Sequence, residues 1–220
     1  MTSGEQTDIA FFGKITASVT HELNNVLAIV EQSAGLLDDM IAGEERGVPL
    51  SVERLRAMSS SVQKQTQRGL ELVACLNRFA HTTDRSNAVF DTNEVLNNFV
   101  GLCRRLALLK KLDLELRPST TAHKMEGNPF ILQQTLFIAL QESLAGAGGG
   151  STIVIENRAD SKGVEICISY AGSVEPDPDQ MAVIDTLARQ MNGTTALEAG
   201  SGLIRIYLRF ALAPPQIEAG

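Results

Sequence analysis

His21, Glu22 and Asn25 fall within little more than one helical turn of each other, and together they hold the parts of a nucleophilic site. A neutral imidazole has a nucleophilic ring nitrogen near pH 7, and its other nitrogen can be held by a hydrogen bond to a neighbouring carboxylate. An asparagine one turn on can orient a water or the oxygens of a transferred group. The residues near His21 are Lys14, Ala17, Ser18, Asn25 and Ala28. Apart from the lysine they are small or short and polar. A face of that kind lets a protruding imidazole reach into a pocket on another protein.

The element that must position them is a long helix. From about Asp8 to Met40, apolar residues recur at Phe12, Ile15, Val19, Leu23, Val26, Val30 and Leu37, a single stripe at helical spacing. At about 100° per residue, His21 points roughly 160° away from that stripe, and Glu22 sits on its flank. Gly43, Gly47 and Pro49 interrupt the pattern. Ser51 is an N-cap for a second helix with Glu53 in its first turn and Leu55, Met58, Val62, Val73, Leu76 and Ala80 on one face, ending near His81. Two helices of roughly thirty residues joined by a short loop form an antiparallel hairpin, and pairing two hairpins in a four-helix bundle buries what one leaves exposed. Homodimerisation is the physical expectation.

Thr82 to Asn87 reads as a polar hinge between a first domain, 1–84, and a second, 85–220. The pattern then becomes mixed. Asp91 caps a helix through Val95, Leu96, Phe99 and Leu102, with Glu94 placed for a capping box. Leu112 to Leu116 alternates as a strand, and Pro129 opens a helix through Leu132, Leu136, Leu140 and Leu144. Strands follow at Thr152 to Glu156 and Val164 to Ser169, then a helix from about Asp179 to Met191. A hairpin of Thr195 to Glu198 and Leu203 to Phe210 ends the unit. The fold class is α+β, a helical hairpin followed by a helix-and-sheet sandwich.

Composition narrows the function. The chain of 220 residues carries a formal net charge of −7 and lacks Trp, so nucleic acid is not an expected partner. Cys75, Cys103 and Cys167 are odd in number and far apart, which indicates buried thiols rather than disulfides or a zinc site. No apolar run approaches the ~20 residues of a membrane span, and the N-terminus has no signal-peptide core; the expectation is a cytoplasmic protein without membrane association. Asn192-Gly193-Thr194 reads as a turn between helix and strand. The glycine clusters at Gly146 to Gly150 and Gly200-Ser201-Gly202 also read as turns, since neither has the strand–loop–helix order of a phosphate cradle.

Residues 16 to 30, TASVTHELNNVLAIV, resemble the phosphoacceptor box of sensor histidine kinases: a histidine, an acid, Leu, a polar pair and an apolar run. The order of elements in the second half is similar to that of the kinase ATP-binding domain, the GHKL-type sandwich. The resemblance implies that His21 is the phosphoacceptor, that Glu22 assists proton transfer, and that Glu22 to Asn25 form the E-x-x-N string with which such kinases dephosphorylate response regulators. Lys14, Ala17, Ser18 and Ala28 would then meet the receiver domain of a response regulator, with Lys14 steering its acidic pocket.

The nucleotide boxes depart from the family pattern. Alignment on the leucines puts Ile138 and Glu142 where the family has asparagines. Tyr170-Ala171-Gly172-Ser173-Val174 stands for D-x-G-x-G without its aspartate or second glycine. The flexible lid is replaced by the short, acidic, proline-stiffened Glu175-Pro176-Asp177-Pro178-Asp179-Gln180. The implied protein is a degenerate kinase that needs neither ATP nor its own Mg²⁺: a dimeric phosphotransferase relaying phosphate between regulator aspartates, with the metal carried by the regulator. The alternatives are a regulator phosphatase using Glu22 and Asn25, a divergent kinase that still autophosphorylates, and a scaffold with an inert His21.

Overall fold

The computed structural model describes residues 3–84, 86–121, 123–160 and 163–213. Helix α1 (Ser3–Glu44) and helix α2 (Val52–Ala80) form the antiparallel hairpin. Ser51 caps α2 by accepting a hydrogen bond from the Arg54 amide at 3.3 Å, as its position before the apolar pattern predicts. At the other end the Thr82 and Thr83 hydroxyls donate back to the Phe79 and Ala80 carbonyls. Of the expected hinge, Arg85 lies outside the described residues.

The buried face of α1 differs from the apolar stripe. Phe11, Ile15, Val19, Glu22, Val26 and Ser33 are buried, whereas Phe12, Leu23 and Val30 are half-buried and Leu37 is exposed. These positions follow one another in steps of four, four, three, four and seven, a narrow helical seam turned toward α2 from the broader apolar stripe. A seam set by backbone crossing accepts whatever residue falls on it, here a glutamate and a serine. On α2, Leu72 and Phe79 are the buried apolar residues. Val73, expected inside, is exposed because the same seam passes one residue before it.

The second unit begins with strand β1 (Ala88–Asp91) and helix α3 (Thr92–Leu109), followed by β2 (Asp113–Arg117), β3 (Lys124–Gly127) and helix α4 (Pro129–Gly146). Strands β4 (Thr152–Asp160) and β5 (Gly163–Ala171), helix α5 (Pro178–Arg189), and strands β6 (Thr194–Gly200) and β7 (Leu203–Phe210) complete it. The five-stranded sheet has the order β2-β4-β5-β7-β6, parallel only between β2 and β4. A separate antiparallel pair joins β1 to β3. The three helices lie side by side over one face, α3 against β2, α4 against β5 and α5 against β6. Ile153, Ile155, Ile166, Ile168, Ile206 and Leu208 point into this core and Leu132, Leu136 and Leu140 fill it from α4. The opposite face is charged and wet, with pairs such as Glu165–Arg209 across β5 and β7.

Asp91 caps α3 through the Asn93 amide at 2.7 Å, a single side-chain bond rather than a capping box with Glu94, because Asp91 is also the last residue of β1. Asn192 takes a positive φ of 54° and Gly193 lies against the Phe210 ring, forming the expected turn between α5 and β6. Ser201 and Gly202, at φ of 53° and 74°, make the tight turn between β6 and β7. Cys103 and Cys167 are buried as expected, whereas Cys75 is half-buried, since it lies on the side of α2 that faces a groove. Among the described residues, no helix is long and apolar enough to cross a membrane.

The hairpin and the second unit share their packing. Phe11 of α1 meets Phe79 edge-on at 5.4 Å and also Phe130 and Phe137 of α4 at 5.3 and 5.1 Å. The Gln134 amide donates to Asp8 at 2.9 Å. On the α2 side, Arg78 Nε donates to Asn98 Oδ1 of α3 at 3.0 Å. A Cβ on Gly101 would come within 3.1 Å of Cys75 Sγ, so glycine permits the close approach of α3 to α2.

Candidate functional site

His21 sits near the middle of α1 with its side chain exposed. Lys14, Ala17, Asn25 and Ala28 are exposed with it and Ser18 is half-buried. The sequence-derived face is therefore present as one continuous surface of mostly small residues beside the imidazole. Thr20, next to His21, returns its hydroxyl to the Thr16 carbonyl at 2.9 Å and so offers no competing donor to the ring.

Glu22 is not where the helical stripe places it. It is only 7 % exposed, inside the hairpin seam, and its carboxylate is held by the Arg68 guanidinium of α2, with Nε donating to Oε1 at 3.0 Å and Nη2 donating to the same oxygen. A carboxylate at that depth needs a cationic partner, and the seam provides it from the facing helix. The Glu22 carboxylate is thus engaged across the hairpin by α2. The imidazole takes its partner from the second unit: Arg105 Nη2 of α3 donates to His21 Nδ1 at 3.1 Å. A guanidinium has only donors, so the contact is a hydrogen bond in the tautomer that leaves the Nδ1 lone pair free and carries the ring proton on Nε2.

Arg68 and Arg105 carry no local sequence signal. They lie 46 and 84 residues from their partners and belong to charged surfaces that read as solvated. A buried acid at position 22 would have demanded a cation on α2, but the demand appears only once the seam is known. Between α2, α3 and β2 a groove of about 1150 Å³ opens beside this cluster, with Glu22, Arg68, Cys75 and Arg104 on its walls.

The second set of residues singled out from sequence also comes together. Tyr170, at the end of β5, is 1 % exposed, lies across Gly146 at the end of α4, and donates its hydroxyl to the Val174 carbonyl at 3.2 Å. A Cβ on Gly146 would stand 2.8 Å from the Tyr170 ring and hydroxyl. Burial, with the nearby Glu142 and Glu175 carboxylates, pushes the phenol up to about 12. Glu142 accepts the Asp177 amide at 2.9 Å, so the short 175–180 segment is tied back onto α4. Ile138 is half-buried one turn earlier. The Gly148 amide donates to the Ala171 carbonyl at 2.9 Å and draws the two ends together. A buried aromatic ring thus fills the α4–β5 junction, the carboxylate at 142 is already bonded, and the segment over it is acidic.

A long helical hairpin, followed by a mixed sheet covered on one face by three helices, is the fold of histidine kinase phosphoacceptor and ATP-binding domains, with an exposed histidine midway along the first helix. The comparisons with solved structures agree. The histidine kinase AdeS of Acinetobacter baumannii superposes over 88 % of this chain and 98 % of its own at 14 % identity and a TM-score of 0.51. A histidine kinase from Burkholderia phymatum STM815 does so over 92 % and 98 %, at 13 % identity and a TM-score of 0.52. The catalytic domain of histidine kinase ThkA covers 59 % of this chain and 99 % of its own, at 13 % identity and a TM-score of 0.53. Neither a family model nor a curated protein matches the sequence. The chain is thus histidine kinase-like in fold.

Proposed function

We propose that this chain is a dimeric histidine phosphotransferase of two-component signalling, which accepts phosphate on His21 from a response-regulator aspartate and returns it to another without using ATP. The observation that carries the reading is the combination, in one chain, of an exposed imidazole on a face of small residues and an α4–β5 junction filled by Tyr170. The first supports access by a receiver domain. The second supports a donor other than bound nucleotide. Transfer between an acyl phosphate and an imidazole exchanges one high-energy linkage for another, so the protein need only position the partners and balance charge.

Lys14, Ala17, Ser18 and Ala28 form the receiver-docking face in this reading, and the metal comes with the regulator. Glu22 acts indirectly: its pair with Arg68 clamps α1 to α2 one residue from His21. Dimerisation is supported by the apolar residues that a single hairpin leaves outside, Leu27 (62 %), Leu36 (50 %), Ile41 (47 %) and Leu70 (62 %) exposed among them. A four-helix bundle of two copies would cover them.

A second reading, a regulator phosphatase, is favoured by Asn25, which is exposed one turn from His21 and free to orient water. The test is to mix the chain with a phosphorylated receiver domain and follow both labels. Phosphotransfer predicts label on the chain, abolished by His21→Ala and retained in Asn25→Ala. Loss of receiver label without labelling of the chain, surviving His21→Ala and abolished by Asn25→Ala, would assign the phosphatase instead. Labelling of His21 by ATP alone would overturn the ATP-independent reading.

A further inference from the structure

We propose that Arg105 is a positioning residue that controls the reactivity of His21 by fixing its tautomer, so that the docked second unit holds the imidazole in a non-nucleophilic form. The inference rests on His21 being the phosphoacceptor, and it concerns what switches that residue on.

The ring has two nitrogens, and a lone pair on one of them must attack phosphorus. Nδ1 has its lone pair engaged by Arg105 Nη2 at 3.1 Å. Because guanidinium cannot accept a hydrogen bond, the proton of the neutral ring stays on Nε2, and Nε2 has no lone pair in the ring plane to offer. Nδ1 is therefore blocked by its partner and Nε2 by its proton. Productive attack through Nε2 needs the opposite tautomer: the Nε2 lone pair forms the N–P bond, the P–O bond of the acyl phosphate breaks with its electron pair leaving on the carboxylate, and the Nδ1 proton passes to water. A donor held at Nδ1 opposes this, whereas an acceptor there would favour it.

The contact belongs to a built interface. Arg105 is half-buried on α3, between Cys103 and Ala107, which are both fully buried in the core. The same helix is fixed to α2 by Arg78–Asn98 and by the close approach of Gly101 to Cys75. The backbone that carries Arg105 is thus fixed with α3. Any docking event that lifts α3 from the hairpin removes the donor from Nδ1 and frees the ring to exchange its proton between nitrogens. The site then responds to the placement of a unit whose nucleotide residues are closed, which gives that unit a use without ATP.

The test uses the full chain, with Arg105→Met to remove the donor and Arg105→Glu to replace it by an acceptor, each checked for an unchanged thermal melt. The ¹⁵N shifts of His21 report the tautomer, and a small phosphoramidate donor reports its reactivity. The wild-type ring should show the proton on Nε2, the Met variant a relaxed mixture, and the Glu variant the proton on Nδ1. Phosphorylation of His21 should rise about tenfold in the Met variant, the low end for loss of a charged hydrogen bond at a half-buried site. It should rise at least as far in the Glu variant. An unchanged tautomer in both variants, or slower labelling in both, would overturn the proposal. Failure of every form to label, with the tautomers shifting as expected, would leave the control by Arg105 standing and refute His21 as phosphoacceptor.

Discussion

Replacing Arg68 by alanine should destabilise the chain far more than removal of an ordinary surface arginine. Arg68 has 49 % of its side chain exposed and Glu22 only 9 %. A pair exposed on both sides contributes about 0–1 kcal/mol, whereas deleting one partner of a fully buried pair costs about 3–5 kcal/mol. One buried and one half-exposed partner places this pair between those limits, at about 2 kcal/mol for Arg68→Ala. The cost is mostly that of a carboxylate left in the seam beside Val19 and Val26 without its donor. For a chain of this size the loss corresponds to a fall in Tm of about 4–8 °C. Glu22→Gln keeps the shape and removes the charge, so the double variant Glu22→Gln/Arg68→Ala should recover part of the loss, with a coupling of about 1–2 kcal/mol. Calorimetric or denaturant unfolding of the four proteins closes the cycle. A change below about 0.5 kcal/mol in Arg68→Ala, the range of ordinary surface substitutions, or strict additivity in the double variant, would mean that Arg68 does not carry the buried Glu22 charge.

Other consequences concern the buried groups. Of the three thiols, Cys75 alone should react with a soluble disulfide reagent in the native protein: Cys103 is fully buried, which pushes its thiol far up, and burial pushes Cys167 up to about 11. All three should react once the chain is unfolded, and rapid native modification of Cys103 would contradict the packing of α3. Tyr170, pushed up to about 12 by burial, keeps its proton in the folded state after an unfolded chain has begun to lose it near pH 10. Its contribution to stability is complete below about pH 10 and is lost as pH rises towards about 12. Phenolate absorbance should therefore show a late step that Tyr170→Phe removes; titration of that residue at the ordinary value would mean that the α4–β5 junction is open.

Much of the architecture is legible along the chain, because long helices announce themselves by period and the strands Thr152–Asp160 and Leu203–Phe210 by alternation. The four-residue strands Ala88–Asp91 and Lys124–Gly127 do not, since an isolated pair that short has too few positions to establish a period. The exposure of His21 was legible from angle alone. The fate of Glu22 was not: apolar spacing puts it on the flank of the stripe, and only the packing of α1 against α2 turns that flank inward between Val19 and Val26. The role of Tyr170 could be guessed only as a missing aspartate, because the sequence does not say that a tyrosine in that place folds inward across Gly146. Arg68 and Arg105 required the tertiary structure, since nothing within ten residues of either distinguishes it from a solvated arginine.

The most direct test of the central claim is to mix the purified chain with a receiver domain carrying aspartyl phosphate, in the absence of ATP, and to locate the phosphate by mass. An acid-labile, alkali-stable phosphate is expected on His21, appearing as the receiver loses its own and absent from His21→Gln. Receiver domains from several regulators, all retaining or hydrolysing their phosphate while His21 stays unmodified, would contradict it.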